Sequence, residues 1–358
     1  MTAPVSRRQI VTAPPCVFDH PEFDAHEQVV FGHDEATGLS TIIAVHSTAL
    51  GPALGGCRMW AYPNPGEALT DALRLSRGMT YKNALAGLDL GGGKAVILAD
   101  PRRDKTQALL AAFGDQVDRL AGSYITAEDV GISDADMEVV ATRTAHVRGI
   151  RATGLGDPSP YTALGVFRGI QAALAHRFGS DDPAGRTVTV QGLGHVGMDV
   201  ARRLHEAGAR LTVADIHQPA VERAVAAFGA KSVAADRAHA AEADVFVPCA
   251  LGAGLNDETI PELGAPIVAG AANNQLAEER HDAALRKRGV LYAPDYAINA
   301  GGVISVALGE PGVGDAAIRA KVEAIGDTLA RIFRIADESD QPTQAVADRL
   351  AMERLAAP

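Results

Sequence analysis

The chain has 358 residues, of which 47% are hydrophobic and 22% charged, with a formal net charge of −11. This length favours two domains, and the acidic balance argues against a nucleic-acid partner because phosphate binding requires a basic surface. No apolar stretch approaches the roughly 20 residues that cross a bilayer, so we expect no membrane-spanning segment.

Cysteine and histidine usage narrows the class of protein further. Cys16, Cys57 and Cys249 are odd in number and widely spaced, which fits neither a disulfide framework nor a zinc site. The histidines do not recur at metal-ligand spacing, so we predict no metal. The twin arginines of "SRRQIV" (6–11) are not followed by an apolar segment. We therefore expect no secretory signal and a cytoplasmic location.

The first part of the chain mixes strand and helix patterns. Three consecutive glycines stand before Lys94 in "GGGKAVILAD" (91–100), which we interpret as a glycine loop that feeds a buried strand. We interpret "LGPALGGCRM" (50–59) as a loop whose free N–H groups at Gly55 and Gly56 could bind a carboxylate, although the segment by itself indicates only a turn. The other predicted elements are strands over 28–33, 41–48 and 123–129 and helices over 66–87 and 106–122.

After about residue 150, strands and helices alternate, which predicts a parallel sheet with helical crossovers. A long helix is predicted over 162–178, and residues 185–215 read as strand, glycine turn, helix and strand. Two further helices are predicted over 316–338 and 343–356.

The glycine turn carries the clearest motif of the sequence. Gly192, Gly194 and Gly197 have G-x-G-x-x-G spacing, with a strand before them and a helix after them. The three glycines permit a tight turn, close approach of a pyrophosphate, and close packing of the helix on the strand. Asp215 ends the next strand, where a carboxylate accepts ribose hydroxyls and repels a 2′-phosphate. The motif predicts a dinucleotide site that favours NAD over NADP.

Two lysines are candidates for chemistry in the first domain. If Lys82 and Lys94 share a cleft, each charge disfavours the other, and one lysine can act as a base while the other holds an anion. The residues alone leave Lys82 open, since a single helix lysine is more often exposed. Glu128 and Asp129 end a strand and can relay protons, although a surface pair is the default interpretation.

The three glycines before Lys94 need a physical reason, because glycine loses more backbone entropy on folding than other residues. Either the backbone turns sharply there, or something approaches it more closely than a Cβ would allow. A second polar segment, "AGAANNQ", places Asn273 and Asn274 after a strand of the second domain, at the edge where α/β sheets bind ligands.

Seven segments together resemble the Glu/Leu/Phe/Val amino acid dehydrogenases, and among them most closely the shorter branch typified by leucine dehydrogenase. The resemblance extends from about residue 26 nearly to the last residue. The segments are "GPALGGCRMW", "GMTYKNALAGLDLGGGKAVI", "YITAEDVG", "GDPSPYTALGVF", "GLGHVG", "GAANNQLAEERH" and "YAPDYAINAGGVISVA".

The resemblance implies an α/β fold of two domains. Residues 1–148 would form an α/β substrate-binding and catalytic domain, and residues 149–328 a Rossmann-type, doubly wound NAD-binding domain. Residues 329–358 would be C-terminal helices that pack back on the first domain. The resemblance also implies a homo-oligomer.

The implied reaction is reversible, NAD-dependent oxidative deamination of an L-amino acid to the 2-oxo acid and ammonia. By the family pattern, Lys82 would bind the substrate carboxylate, Lys94 would be the catalytic base that activates water, and Asp129 would exchange protons with the amino group. The glycines at 91–93 would let substrate and nicotinamide lie against the backbone beside Lys94. The implied cofactor-binding residues are Gly192, Gly194, His195, Val196, Gly197, Asp215, Thr162, Cys249, Ala250 and Asn273.

The resemblance also implies an apolar side-chain pocket. Such a pocket disfavours glutamate, whose charge would be desolvated without a partner. We therefore expect a branched-chain substrate, with leucine preferred over isoleucine and valine. Phenylalanine or valine dehydrogenation is the alternative within the class, and a catalytically silent NAD sensor or a hydroxy-acid dehydrogenase the alternative outside it. The implied substrate-binding residues are Lys82, Leu54, Gly55, Gly56, Ala127, Asn273, Val303 and Val306.

Overall fold

The computed structural model describes residues 16–150, 157–250, 252–309 and 312–357. Two sheets, each covered by helices, confirm the predicted α/β class of two domains with a Rossmann-type second sheet. The twin arginines and most of the predicted domain connection lie outside the described residues. Among the described helices, none combines the length and apolar character that spanning a bilayer requires.

The first sheet is mixed and has five strands. They are β1 (Gln28–Asp34), β2 (Leu39–Ser47), β3 (Ala53–Trp60), β4 (Gly91–Leu98) and β5 (Tyr124–Glu128). The strand order is β1-β2-β4-β3-β5. The pairs β1–β2 and β2–β4 are antiparallel, whereas β3 runs parallel to both β4 and β5.

Helices cover both faces of this sheet, because alternate residues of its central strands are apolar on both sides. Ile42 and Ala44 of β2 pack with residues of α1 (Pro65–Leu85), whereas Ile43 and Val45 join the core that includes Phe113 of α2 (Gln107–Asp118). A third helix, α3 (Asp134–Ala141), follows β5.

Two sequence interpretations of this domain are wrong. Gly91, Gly92 and Gly93 are the first residues of β4 and not a loop before it, and Gly55 and Gly56 lie within β3. Glycine has a low strand propensity, which is why the sequence pattern suggests loops. Here each of the two strands is hydrogen-bonded to a neighbouring strand on both sides, and this pairing stabilises the extended conformation despite the low propensity.

The second sheet is parallel, with the order β11-β10-β9-β6-β7-β8. Counted from β6 this is 3-2-1-4-5-6, the doubly wound Rossmann order, and the direction of winding changes at β6. Its strands are β6 (Thr187–Gln191), β7 (Arg210–Ala214), β8 (Lys231–Ser232), β9 (Val245–Pro248), β10 (Ile267–Val268) and β11 (Leu291–Tyr292). Its helices are α4 (Ser159–Phe178), α5 (His195–Glu206), α6 (Gln218–Phe228), α7 (Arg280–Lys287), α8 (Asp295–Ile298) and α9 (Gly301–Leu308).

Three helices follow, not the two that the sequence pattern suggests. The predicted helix over 316–338 is divided at Ala324 into α10 (Asp315–Glu323) and α11 (Ile325–Ser339). Gly326 next to the break lowers helix propensity there. Leu329 of α11 joins the core of the second sheet. The last helix, α12 (Thr343–Leu355), packs on α1 of the first domain.

Candidate functional site

The glycines before Lys94 pack against the protein itself. A Cβ at Gly91 would lie 1.9 Å from the Ser47 carbonyl oxygen, and one at Gly92 would lie 2.0 Å from the backbone nitrogen of Thr80. All three glycines are buried, so the expectation that substrate and nicotinamide fill this space is wrong. Instead, the missing side chain at Gly92 lets α1 lie directly on β4, and α1 carries Lys82.

Lys94 is buried and forms an ion pair with Asp129. The sequence alone predicts that the two residues lie in one domain but not that they are in contact. Lys94 Nζ donates to Asp129 Oδ2 at 2.5 Å. The same oxygen accepts a hydrogen bond from Arg58 Nε at 3.2 Å. Burial acts to raise the pKa of Asp129, but Lys94 and Arg58 outweigh it and lower that pKa to about 2. The carboxylate is therefore ionised and held between two cations.

Lys82 faces the second domain. Its Nζ donates to Asn273 Oδ1 at 3.4 Å, and Asn299 Nδ2 donates to the same oxygen at 2.8 Å. Burial lowers the pKa of Lys82 to about 8, with a further lowering from Lys94, against the opposing attraction of Asp295. The two lysines thus act on each other electrostatically, as a shared cleft requires.

Asp295 anchors the segment that presents Asn273. This buried carboxylate accepts hydrogen bonds from the N–H groups of Gln275 and Tyr296 at 2.9 and 2.6 Å. Burial raises the pKa of Asp295. Because Asn273 Oδ1 accepts from both Lys82 and Asn299, its amide nitrogen is oriented away from them and can donate to a ligand.

The predicted pocket residues occupy two places. Leu54, Gly55 and Gly56 of β3 pair with β5, where Gly56 lies opposite Ala127. A Cβ at Gly55 would lie 1.7 Å from the Gly93 carbonyl oxygen, so this glycine permits close strand packing. Val303 and Val306 lie on α9 and are half-buried, and Val306 is near Gly149.

The predicted dinucleotide turn combines two crowded glycines with one open position. Gly192 has φ +94°, and a Cβ at Gly197 would lie 1.9 Å from the Gly192 carbonyl oxygen. Around Gly194, in contrast, there is open space, and this residue begins α5 without a side-chain cap. Unpaired N–H groups at a helix start attract anions. His195 and Val196 form the first turn of α5.

Asp215 lies at the edge of a groove of about 660 Å³ that runs along α5 and α6. Its carboxylate accepts hydrogen bonds from the N–H groups of Leu193 and His217 at 2.5 and 2.7 Å. These bonds fix the acid beside the glycine turn, where the ribose of a dinucleotide would reach it.

The remaining predicted cofactor residues surround the same edge of the second sheet. Cys249 and Ala250 follow β9, and their backbone lies against Gly192. Burial raises the pKa of Cys249 to about 11, which keeps its thiol protonated at neutral pH. Thr162 lies in the first turn of α4, where its hydroxyl donates to the Pro158 carbonyl at 3.3 Å and its oxygen lies close to Gly302 of α9.

Arg58, Asn299 and Asp295 are the functional candidates that sequence reasoning missed. Arg58 stands in the quoted "GGCRMW" and Asn299 in "YAPDYAINAGG", so the segments were recognised but not these side chains. No local pattern marks Arg58 or Asn299, because their hydrogen-bonding partners are distant in sequence.

One cluster of the described residues has metal-ligand chemistry away from this cleft. Ligand atoms of Asp257, Glu278 and His281 lie within 4.8 Å of one another. Arg280 donates hydrogen bonds to both carboxylates, at 2.5 and 2.9 Å. Both acids are thus already paired with a side-chain cation.

Comparison with known proteins gives one family match in each of the two domains. Residues 26–146 match the model of the Glu/Leu/Phe/Val dehydrogenase dimerisation domain, and residues 216–312 match that of the Glutamate/Leucine/Phenylalanine/Valine dehydrogenases. Leucine dehydrogenase of Geobacillus stearothermophilus is 51% identical, over 95% of this chain and 93% of its own length.

Two further relatives differ from it in their named substrates. Valine dehydrogenase of Streptomyces albus is 46% identical, and the match covers 94% of each chain. The crystal structure of L-tryptophan dehydrogenase from Nostoc punctiforme superposes with a TM-score of 0.82 at 46% identity, covering 92% of this chain and 96% of that one.

Proposed function

Because this chain belongs to the Glu/Leu/Phe/Val dehydrogenase family and is an amino acid dehydrogenase, we propose that it catalyses NAD-dependent, reversible oxidative deamination. Its substrate would be a branched-chain L-amino acid, with leucine preferred over isoleucine and valine. The products are the 2-oxo acid, ammonia and NADH. The observation that carries this proposal is the Lys94–Asp129 ion pair, which lies within electrostatic reach of Lys82.

The roles of the chain's own residues follow from charge and position. Lys82 and the amide nitrogen of Asn273 would hold the substrate carboxylate, which replaces the weak 3.4 Å contact between them. In its neutral form, which alkaline pH favours, Lys94 would take a proton from the water that attacks the imine carbon, and Asp129 would exchange a proton with the substrate nitrogen. The chemistry that bound NAD would supply is acceptance of the hydride from the α-carbon. Closure of the cleft would exclude water.

The residues of the second domain fit this cofactor. The open space at Gly194 and the uncapped start of α5 suit a pyrophosphate. Asp215 suits a ribose with free hydroxyls, and its charge would repel a 2′-phosphate. We therefore propose NAD over NADP.

Leucine preference rests on the apolar character of the proposed pocket and on the leucine dehydrogenase relatives. Leu54, Ala127, Val303 and Val306 offer no charged partner to a glutamate side chain. A methylene in such a pocket changes discrimination by about 1–3 kcal/mol, so leucine, isoleucine and valine would be ranked and not strictly separated. The valine and tryptophan dehydrogenases among the relatives favour testing those substrates directly.

The experiment follows NADH absorbance at alkaline pH with L-leucine, L-isoleucine, L-valine, L-phenylalanine, L-tryptophan and L-glutamate, first with NAD and then with NADP. The proposal expects the fastest turnover with leucine and NAD. Faster turnover with phenylalanine or tryptophan would preserve the reaction and overturn the assigned pocket. Tight NAD binding without turnover of any amino acid would overturn catalysis and favour a nucleotide sensor.

Three further expectations belong to the same proposal. We propose division of the chain at residues 148 and 328. The separate cores around β4 and around α4 support the first boundary, whereas the second falls within α11, whose Leu329 belongs to the core around α4. We propose a homo-oligomer, since the matched N-terminal family model is described as a dimerisation domain. We propose a cytoplasmic enzyme whose only ligands are small molecules. Size-exclusion chromatography with light scattering would determine the oligomeric state.

A further inference from the structure

Arg58 joins two carboxylates from different elements of the first domain. Its Nε donates to Asp129 Oδ2 at 3.2 Å, and its Nη1 donates to Asp71 Oδ2 at 2.8 Å. Asp71 lies on α1, and its Oδ2 also accepts from the Tyr62 hydroxyl at 2.6 Å. A continuous chain of polar contacts therefore runs from Tyr62 through Asp71 and Arg58 to Asp129.

We propose that Arg58 is a positioning residue of the reaction, which fixes the Asp129 carboxylate against Lys94 and shares its negative charge. This inference rests on the proposed function, since it assigns Arg58 to the proton-transfer pair of that reaction. Arg58 contacts the pair from β3, and Asp71 fixes the other end of its guanidinium to α1.

The geometry gives Arg58 a role that Lys94 cannot fill alone. A guanidinium is a planar fork with fixed donor directions, so it can bind two carboxylates at once and hold both in place. The Arg58, Asp71 and Asp129 side chains are each only about a quarter exposed, which limits screening by water. The Asp129 carboxylate is therefore held from two sides, and Lys94 is held with it.

Charge gives a second consequence. The groups that act electrostatically on Asp129, or on which it acts, are Lys94, Arg58, Cys57, Tyr62, Lys82, Tyr124 and Glu128. Arg58 is the one among them that combines a permanent positive charge with a direct hydrogen bond to Asp129. Removing that charge leaves the Lys94–Asp129 pair more negative, so the pair retains its proton to higher pH.

The test measures kcat against pH for wild type, Arg58→Gln and Arg58→Lys, with the amino acid that the wild type turns over fastest. For Arg58→Gln we expect kcat to fall by up to about a hundredfold, because the carboxylate is misplaced. We also expect the rising limb of the profile to move up by about one pH unit. Arg58→Lys keeps the positive charge but loses the planar donor geometry of the guanidinium. We therefore expect the rising limb of the pH profile to stay at its wild-type position, while kcat is only partly retained.

Two further variants separate positioning from folding. Asp71→Asn removes the far anchor together with one negative charge and keeps the arginine charge, so we expect a several-fold loss of kcat with a limb that does not move to higher pH. Arg143→Gln is the matched control, because Arg143 makes an equally close bidentate pair with Asp115 at an exposed site. Melting temperatures of all variants accompany the kinetics.

The outcomes are distinct. Arg58→Gln with the wild-type limb overturns the inference, whether kcat is unchanged or falls only in proportion to lost folded protein. In that case wild-type turnover leaves the proposed function standing. Absence of wild-type turnover with every amino acid overturns both.

Discussion

The two glycine-rich segments of this molecule have similar sequences and opposite uses. In the segment Gly91–Gly93, a Cβ on any of the three glycines would meet protein atoms at 1.9 to 2.6 Å. In the dinucleotide turn, Gly192 and Gly197 are equally crowded, but a Cβ at Gly194 would meet nothing within 4 Å. In the first segment, atoms of this protein fill the space beside every glycine, and we call it the closed segment. In the second, the space beside Gly194 is empty of protein atoms, and we call it the open segment.

This difference shows how each segment serves its site. The closed segment brings a helix and a strand together, so that two side chains, Lys82 and Lys94, come within electrostatic reach. The open segment leaves space beside Gly194, where we propose that backbone N–H groups bind a ligand. A run of glycines therefore indicates close approach in both cases, but only the structure shows what approaches.

The largest expected effect is on kcat and concerns Lys94, which directly follows the closed segment Gly91–Gly93. Lys94→Ala should lower kcat by about a thousandfold, since the proposed general base is lost, while NAD affinity stays at the wild-type value. Stopped-flow kinetics and NAD titration by intrinsic fluorescence measure the two quantities. Lys105→Ala is the control, because Lys105 forms its own ion pair with Asp136. An equal loss of NAD affinity would contradict the proposal that Lys94 serves the chemical step and the Gly192–Gly197 turn binds NAD.

The next effect is on stability. Gly92→Ala places a Cβ 2.0 Å from the backbone of Thr80 and should destabilise the fold by about 3 kcal/mol, because backbone atoms cannot yield as a side chain can. Gly78→Ala on the same helix has nothing within 4 Å and should be neutral or slightly stabilising. Urea denaturation compares them. Equal stability of both variants would show that α1 does not depend on its contact with β4.

A smaller effect is expected in the open turn. Gly194→Ala should leave the melting temperature unchanged and weaken NAD binding by about tenfold, because the methyl group enters the proposed pyrophosphate position. Isothermal titration calorimetry measures the affinity. Gly314→Ala serves as control, since that glycine also has nothing within 4 Å and also precedes a helix. Wild-type affinity in Gly194→Ala would place the cofactor elsewhere.

The smallest effect concerns Lys82. Its pKa of about 8 means that its positive charge is present below pH 8 and is lost as the pH rises above it. The KM for the 2-oxo acid of leucine in reductive amination should therefore rise about fivefold between pH 8 and 9. Lys82→Arg, which stays charged, should flatten this dependence. A wild-type KM that is constant from pH 7 to 9, together with an unchanged KM in Lys82→Ala, would exclude Lys82 as the carboxylate ligand.

Much of the fold could be predicted because it depends on local pattern. Alternation of strands and helices predicted the parallel second sheet, and the Gly192–Gly197 motif predicted the position of its turn. The strands β3 and β4 were misinterpreted where glycines interrupt the apolar pattern. Their order comes from pairing with distant strands, and local propensity carries no information about that pairing.

The candidate site divides in the same way. Lys82, Lys94, Asp129 and Asn273 could be selected from motifs, but the distances among them could not. Arg58 was missed because its two acids lie 13 and 71 positions away in the chain. Side-chain pairs of this kind arise only after strands and helices have packed, so a single sequence does not reveal them.

The contact between α12 and α1 determines how late in protein synthesis the helix that carries Lys82 is completed. Arg354 of α12 donates to the carbonyl of Ala84, 270 positions earlier and two residues beyond Lys82. Lys321 likewise donates to the carbonyl of Gly87. Contacts of such long sequence separation form late, since the chain folds as it leaves the ribosome. The helix that carries Lys82 therefore gains the support of its last turn only after the whole second sheet has been made.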